Sequence, residues 1–294
     1  RMNTSNYSQN SECPDREKVI SIPLGHLVEG HLISRPNRFL AIVDLHGEKV
    51  QAHVSDSGRL EELLFPGNKV MIRKVDLSPT SKPSKRKTEY DLVLAASDDI
   101  WVCIDTRYPN DIFEMAVKGN VLQEFCGYEE VQREVSLDRV INEITSIASQ
   151  NHLENEQLIS SLTLFETNQK SKKTPKSRFD FFLSGPSKPP LLLEVKSVNL
   201  CVDGTGLFPD APTQRGTRHV RELCNLVSLG LDSAILFVAQ REDVKLVSPH
   251  RKMDPDFSQA MDQALEMGVK VVALRCIASP LELRLDPDPI PYIP

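Results

Sequence analysis

The sequence predicts two domains of different class: a small all-β barrel followed by a mixed α/β domain. Three observations lead to this prediction. Up to about residue 105, short segments with alternating or β-branched residues are separated by turn residues, which is typical of strands. After Pro109 the apolar residues recur at helical spacing. From there to about residue 286 strand-like and helix-like segments alternate, which indicates an α/β sheet.

Six segments of the first domain have the strand pattern. They are HLVEGHLIS, RFLAIVDL, EKVQAHV, KVMIRKV, YDLVLAAS and IWVCID. After the third comes DSGRLEELLFPG, in which Leu60, Leu63 and Leu64 fit one helical turn that Pro66 and Gly67 stop. Five or six strands with one short helix after the third is the order of an OB-type barrel, which is widely used for single-stranded nucleic acid. A small barrel serves many tasks, so the fold alone does not give the function.

The second domain is predicted to open on a helix and to continue as a mixed sheet. The opening helix, NDIFEMAVKGNVLQEF, is expected to break at Gly119 and Asn120. EEVQREVSL then indicates a strand, and a further helix is possible at about 138–149. The later elements are the strand pair RFDFFL and LLLEVKS, the helix TRHVRELCNLVSLG, the buried strand SAILFVAQ, the helix DPDFSQAMDQALEMG and the strand VKVVALRCIAS.

Changes in composition along the chain indicate the boundaries of its domains and tails. We predict a disordered tail at residues 1–19, the OB-like barrel at 20–106, the α/β domain at 107–286 and a Pro-rich tail without an assignable element at 287–294. The stretch at about 136–176 ends in Ser, Thr, Lys and Asn. Because so long a connection is unusual inside a compact domain, we predict a flexible insertion there.

Composition and charge exclude some classes of protein. The 294 residues are 40% apolar and 26% charged, and no run approaches the roughly 18 apolar residues of a membrane span. A formal net charge of -6 argues against nucleic-acid binding by bulk charge. Local basic clusters nevertheless occur, and each is either solvated surface charge or a binding patch. They are Lys82, Lys85, Arg86 and Lys87; Lys170, Lys172, Lys173, Lys176 and Arg178; and Arg215, Arg218, His219 and Arg221.

The cysteines favour an intracellular protein. The six are widely spaced, without a C-x-x-C pair, and four lie in apolar strand or helix contexts. This pattern predicts reduced buried thiols. The polar and acidic residues 1–18 speak against a secretory signal. We therefore expect an intracellular location, with cytoplasm and organelle both open.

The hairpin RFDFFLSGPSKPPLLLEVKS contains three ionisable residues in otherwise apolar strands: Asp180, Glu194 and Lys196. Glu194 and Lys196 share a strand face, and antiparallel closure sets Asp180 opposite or diagonal to Glu194. Two carboxylates, a backbone carbonyl and water suit Mg²⁺ or Mn²⁺. Lys196 would then orient or activate a water molecule, or neutralise charge on a phosphate. The alternative is a structural salt bridge at a sheet edge.

This arrangement, an Asp and then Glu-x-Lys on adjacent strands after a helix, resembles the PD-(D/E)XK nuclease superfamily. An acidic residue on the first helix often joins the metal ligands of that superfamily. The resemblance therefore implies Glu114, in NDIFEMAV, as a third metal ligand. Its rival is Glu134, on the strand just before the hairpin, and the alternative for Glu114 is an exposed helix carboxylate.

Longer stretches of the sequence resemble one particular family. GRLEELLFPG, RFDFFL, LLEVKSVNL, GLFPDAPTQRGTRHVREL and DPDFSQAMDQALEMGVKVVALRC occur in one order over roughly residues 20 to 285. Together they resemble the sugar fermentation stimulation protein A family. Membership implies an OB-like N-terminal domain, a PD-(D/E)XK nuclease-like C-terminal domain and DNA binding, with the bacterial members regarded as regulators of sugar metabolism genes.

The loop FPDAPTQRGTRHVREL carries the remaining candidates. Thr213 and Thr217 are placed to cap the helix that follows, near the end that attracts phosphate. We predict that Arg215 and Arg218 hold the nucleic-acid backbone, and that His219 helps to bind phosphate or a metal-bound water molecule. The alternatives are a structural pair of Arg215 with Asp210 and a structural role for His219.

The leading hypothesis is a DNA-binding protein with an Mg²⁺-dependent nuclease-type site. A non-catalytic regulatory protein that binds nucleic acid and keeps the nuclease fold as a scaffold is the second hypothesis, and an adaptor without nucleic-acid binding is the third. Only four aromatic residues lie between residues 24 and 105, which is few for a base-stacking surface, and at least two are expected in the core. They are Phe39, Phe65, Tyr90 and Trp101. No membrane partner is expected, and the oligomeric state is left open.

Overall fold

The structure, a computed structural model, describes residues 13–75, 88–151, 156–171 and 177–294. Its strands are β1 (Ser21–Pro23), β2 (Leu27–Asn37), β3 (Leu40–Leu45), β4 (Glu48–His53), β5 (Lys69–Lys74), β6 (Tyr90–Ser97), β7 (Ile100–Cys103), β8 (Glu130–Ser136), β9 (Arg178–Gly185), β10 (Lys188–Val198), β11 (Leu200–Val202), β12 (Thr205–Phe208), β13 (Asp232–Ala239), β14 (Leu246–Pro249), β15 (Lys270–Ala278) and β16 (Glu282–Ile290). Its helices are α1 (Tyr108–Lys118), α2 (Leu137–Asn151), α3 (Glu156–Ser171), α4 (Gln214–Ser228) and α5 (Pro255–Glu266), with a 3₁₀ turn at Gln123–Phe125. No helix among these residues is long and apolar enough to cross a membrane.

The first domain is the predicted OB-type barrel. Its strands follow the order β4-β3-β2-β5-β6, and a parallel pairing of β6 with β4 at Tyr90 and Ala52 closes the barrel. Inward-facing residues such as Leu32, Val43 and Ile72 fill the interior. The predicted short helix is a single turn, in which the Leu64 amide donates to the Leu60 carbonyl at 2.7 Å. Leu60, Leu63 and Leu64 are all buried in the barrel core, so this turn covers the barrel.

The second domain is the predicted mixed α/β sheet. Strands β10, β13 and β15 run parallel, and β9 and β8 continue the sheet antiparallel at one side. Helix α1 packs into the apolar cluster on one face, and α4 and α5 pack into the cluster on the other face. Strand β13, Asp232–Ala239, is buried at every position after the first, because helices cover both of its faces. Strand β7 pairs with β6 of the barrel and with β15 of this sheet, so one sheet joins the two domains.

The inserted segment contains more structure than the sequence analysis predicted. The helix expected at about 138–149 is confirmed as α2, but a second helix, α3, follows it at Glu156–Ser171. Ile144 of α2 and Leu162 of α3 are fully buried in the cluster under α4. The prediction of a flexible insertion is therefore wrong for both helices, while 152–155 and 172–176 lie outside the described residues.

Replacing Leu162 with alanine is expected to lower the free energy of unfolding by about 2 kcal/mol. Removing a fully buried leucine costs about 2–5 kcal/mol, and a surface helix relaxes enough to bring the cost to the low end. Urea unfolding of the two proteins measures the difference. Leu164→Ala is the matched control, because Leu164 lies on the same helix but is 64% exposed. Equal stability of the two variants would contradict the packing of α3 on the core.

Both ends of the chain depart from the predicted tails. Residues 1–12 of the predicted disordered tail lie outside the described residues, but the Asp15 amide donates to the Asn120 carbonyl at 2.8 Å. At the other end, β16 runs through the Pro-rich stretch, and Tyr292 stacks on Phe237 at 5.3 Å. Proline is tolerated on β16 because β1 pairs with it only at Glu282–Arg284, so that beyond this point no described strand forms ladder hydrogen bonds along that edge.

The prediction of reduced thiols holds for four of the six cysteines, and three of these four are also buried, Cys201 being half-buried. Cys103, Cys201, Cys224 and Cys276 are free thiols, and burial raises the pKa of Cys276 to about 12. Cys13 and Cys126, however, form a disulfide across 113 residues of sequence, so the expectation of six reduced thiols is wrong. The bridge ties the start of the described chain to the segment after the 3₁₀ turn.

Candidate active site between the two domains

A cleft of about 370 Å³ lies where the barrel meets the C-terminal end of strand β10. The register that pairs Leu193 with Phe181 sets Asp180 directly across from Glu194 when it is continued by one residue. Apolar neighbours on both strands are buried, and this packing fixes the backbone that carries the charged residues. Polar side chains that line the cleft include those of Asp56, Asn110, Asp180, Glu194, Lys196 and Arg215.

Both carboxylate oxygens of Asp180 accept hydrogen bonds. The Asn110 side chain donates to Oδ1 at 3.1 Å, and the Val195 backbone amide donates to Oδ2 at 2.8 Å. Burial of the carboxylate, followed by repulsion from the Glu194 charge, raises the pKa of Asp180 to about 6. Asp180 therefore changes its charge close to neutral pH, whereas an ordinary aspartate stays ionised there.

The two oxygens of Glu194 have different environments. Oε1 accepts from Lys196 Nζ and from His219 Nδ1, each at 2.6 Å. Oε2 is buried and has no hydrogen-bond partner among the described residues. Burial acts to raise the pKa of Glu194, but the Lys196 ammonium and His219 outweigh it and lower the pKa to about 2. The two adjacent carboxylates are thus driven apart in pKa, which is a mark of functional sites.

These residues fit a hard divalent cation. Mg²⁺ commonly uses one or two protein carboxylates and keeps several of its waters. The unpartnered Oε2 of Glu194, beside the carboxylate of Asp180, supplies the type of oxygen ligand that such a cation requires. Within the described ranges, no cluster of three or more His, Cys, Asp or Glu side chains has a metal-binding arrangement. Oxygen ligands of other kinds, such as backbone carbonyls and water, would complete the coordination shell.

Comparison with known proteins identifies both parts of the chain. The family model described as the SfsA N-terminal OB domain matches residues 33–104, and the one described as the sugar fermentation stimulation protein RE domain matches residues 139–282. The chain belongs to the sugar fermentation stimulation protein family. The resemblance in the sequence is thereby confirmed, and so is the fold of an OB barrel followed by a mixed α/β domain.

Relatives align with this SfsA-family chain over most of its length. A sugar fermentation stimulation protein homolog of Moorella thermoacetica is 36% identical over 91% of this chain and 97% of its own. The homolog of Methanothermobacter thermautotrophicus is 33% identical over 86% of this chain and 88% of its own. Among solved structures, Pyrococcus furiosus SfsA in complex with Ca²⁺ superimposes with a TM-score of 0.72 at 23% identity, over 93% of this chain and 98% of its own.

The acidic candidates outside the hairpin do not reach the cleft of this SfsA-family protein. Glu114 pairs with Lys118 at 2.6 Å and with Arg133 at 3.2 Å, so the prediction of a third metal ligand there is corrected. Asn110, one helical turn earlier on α1, takes the position beside Asp180. Glu134 is 65% exposed and faces Arg178 at 3.8 Å. The helix that the resemblance named therefore contacts the hairpin through Asn110 and not through Glu114.

The three candidate residues of helix α4, Arg215, Arg218 and His219, lie in different environments. Arg215 lines the cleft, and Asp210 accepts from the Leu60 amide at 3.3 Å without pairing with Arg215. Arg218 faces a different surface cavity, which α3 and α5 border. His219 is only 1% exposed and hydrogen-bonds Glu194, so the predicted contact with phosphate is replaced by a structural one. The basic clusters at 82–87 and 172–176 lie outside the described residues.

The barrel supplies cleft residues that the sequence analysis missed. The Asn199 side chain donates to Asp56 at 2.7 Å, which fixes a barrel loop to the end of β10. Burial raises the pKa of Asp56. A Cβ atom on Gly58 would lie 2.2 Å from a carboxylate oxygen of Asp210, so a larger residue at this position would have to displace the Asp210 side chain. Asp56 and Asn199 are far apart in sequence, and no local pattern joins them.

Proposed function

We propose that this SfsA-family protein binds DNA and hydrolyses its phosphodiester bonds with Mg²⁺ or Mn²⁺ in the cleft between its domains. The observation that carries the proposal is the buried, unpartnered oxygen of Glu194 beside Asp180. A buried acceptor without a partner is costly unless a ligand satisfies it. The Lys196 ammonium contacts the same Glu194 carboxylate. A phosphodiester is the substrate whose negative charge suits a metal cation and an ammonium group together.

Each residue of the cleft has a distinct role in this proposal. Asp180 and Glu194 hold the cation, which when bound polarises the phosphodiester and lowers the pKa of a bound water molecule. Asn110 and the Val195 amide hold the Asp180 carboxylate in place, and His219 holds that of Glu194.

The two cations of the cleft wall act on the substrate. Lys196, whose side chain is 12% exposed, places a positive charge where the attacking water or the phosphate oxygen lies. Arg215 is exposed at the mouth of the cleft, where its planar guanidinium can hold a neighbouring phosphate.

The comparisons lend support in two ways. An OB domain is common among proteins that bind nucleic acid. The P. furiosus relative was solved with Ca²⁺, which like Mg²⁺ prefers oxygen ligands.

A cleavage assay on single- and double-stranded DNA tests the proposal. Product is expected with Mg²⁺ or Mn²⁺, and it should vanish with EDTA and in Asp180→Ala. Glu134→Gln is the matched control, since Glu134 is a carboxylate on the neighbouring strand that faces solvent. Metal-independent product that is the same in both variants would overturn the proposal.

Non-catalytic DNA binding is the second candidate function, and the pairing of Lys196 with Glu194 favours it, because the same contact serves as a structural salt bridge. This alternative predicts binding that weakens steeply with salt, survives Asp180→Ala and gives no product under any metal condition. Salt titration of binding together with the cleavage assay separates the two candidates.

A further inference from the structure

The barrel exposes a pair of stacked rings near the cleft. Phe39, in the turn between β2 and β3, is 53% exposed, although a phenylalanine is normally buried. Its ring lies 6.5 Å from that of His53, with only 15° between the ring planes. Of the other aromatic residues weighed in the sequence, Tyr90 and Trp101 are half-buried in the apolar clusters, and Phe65 is 47% exposed before the Pro66–Gly67 turn. The pair thus presents flat apolar surface to solvent.

Arg35 fixes this pair next to the cleft. One terminal nitrogen of its guanidinium lies within hydrogen-bond distance of the carbonyls of Arg38 at 2.8 Å, Asp56 at 3.1 Å and Gly58 at 2.8 Å, so its two hydrogens are shared among three acceptors. These contacts of the Arg35 side chain hold the Phe39 turn next to the loop that carries Asp56. Asp56 lines the cleft together with Asp180. The turn that carries Phe39 is therefore a direct neighbour of a loop that lines the cleft.

Positive charge flanks the rings. Arg38 precedes Phe39, and Arg59 follows the Gly58 carbonyl that Arg35 binds. Both are exposed, and neither has an ion-pair partner among the described residues, whereas Arg251 and Arg275 each pair with an aspartate. Unpaired arginines beside stacked rings provide the two contacts that single strands need, one for phosphates and one for bases.

We propose that Phe39 and His53 form a stacking platform for the bases of single-stranded DNA, with Arg38 and Arg59 on its phosphates, and that the platform leads a strand into the cleft. This inference rests on the proposed function, because it assumes that the cleft receives DNA. Bases of a duplex are paired and stacked on each other, so the platform distinguishes a single strand or a frayed end from a closed duplex.

Fluorescence anisotropy with a labelled 16-nucleotide oligonucleotide, alone and as a blunt duplex, tests the platform in EDTA, where cleavage plays no part. Phe39→Ala is expected to weaken single-strand binding between about 5-fold and 150-fold, the range that loss of one stacked base gives. Duplex binding should change less than about 2-fold, and Phe39→Trp should restore single-strand binding. Phe65→Ala is the matched control: Phe65 is also on the barrel and 47% exposed, but it precedes the turn whose Gly67 and Asn68 bond the Leu32 backbone, roughly 17 Å along β2 from Asn37.

The outcomes separate the platform from the nuclease proposal. Single-strand binding that is unchanged in Phe39→Ala, or lost equally in Phe65→Ala, overturns the platform while metal-dependent cleavage still stands. A Phe39-dependent affinity in a protein that never cleaves supports the platform and removes the nuclease. An equal loss of duplex and single-strand binding in Phe39→Ala also overturns the platform, because stacking on free bases would not be its cause.

Discussion

Replacing Lys196 with methionine is expected to slow Mg²⁺-dependent DNA cleavage by about 10²- to 10⁴-fold, the range for loss of a positioned proton-transfer or charge-stabilising group. Lys196 Nζ lies 2.6 Å from Glu194 Oε1, and its side chain is only 12% exposed, so the charge acts where water screens it little. Methionine keeps the length of the side chain and removes the charge. The measurement is the single-turnover cleavage rate at saturating protein.

A DNA-binding measurement and a control substitution at a second lysine make this result interpretable. DNA affinity in EDTA should fall less than about 3-fold in Lys196→Met, because one buried ammonium contributes little to a salt-dependent backbone contact. Lys188→Met is the control, since Lys188 is an exposed lysine at the other end of β10. Lys196→Arg keeps the charge and should retain part of the rate. A normal rate in Lys196→Met would show that Lys196 is only a salt-bridge partner of Glu194.

The sequence predicted those parts of the fold that depend on local patterns. Strands β2 to β7, the break of α1 at Gly119 and the buried strand β13 all follow from alternation, turn residues and apolar runs. Helix α3 was missed because Ser, Thr, Asn and Glu dominate its composition, although Leu158, Leu162 and Phe165 have helical spacing. The strand through the Pro-rich end was missed because only the three-dimensional edge position makes proline acceptable there.

The candidate site also has a part that local sequence patterns predict and a part that they do not. Asp180, Glu194 and Lys196 are joined by a hairpin, so strand periodicity alone places them together. His219 and Asn110 come from helices whose rotation the sequence does not give, and each contacts a carboxylate of the hairpin. The contribution of the barrel depends on the join of β7 to β15, which is a tertiary contact. Sequence patterns thus identified the ionisable groups of the candidate site but not the residues that hold them.

Replacing Asp180 with asparagine is expected to stabilise the metal-free protein at pH 8 while it abolishes cleavage. The pKa of Asp180 in the folded protein, about 6, lies above its ordinary value of 3.8, so the folded state binds the proton more tightly than the unfolded chain. Above pH 6 the ionised carboxylate therefore costs about 2–3 kcal/mol, and the cost disappears as the pH falls from 6 to about 4. Asparagine removes the charge and can still accept the Val195 hydrogen bond.

Thermal unfolding in EDTA measures this effect. At pH 8 the variant should unfold about 4–8 °C above the wild type, and the difference should shrink toward pH 4. Mg²⁺ should raise the unfolding temperature of the wild type at pH 8 but not that of Asp180→Asn, since ligand binding stabilises only a fold that retains its site. A wild type that Mg²⁺ does not stabilise would contradict the metal assignment. A variant less stable than the wild type at pH 8 would contradict the raised pKa.

Glu194→Gln should have the opposite effect in the same experiment, although Glu194 faces Asp180. Its pKa of about 2 lies below the ordinary 4.5, so the ionised carboxylate stabilises the fold above pH 4.5 and loses that contribution as the pH falls toward 2. Glutamine leaves the Lys196 ammonium buried without its counter-charge, at a cost of about 3 kcal/mol. Opposite shifts from two neighbouring isosteric changes cannot arise from a general loosening of the hairpin. They would show that the fold stabilises the ionised form of Glu194 and destabilises the ionised form of Asp180. A bound cation would remove that destabilisation.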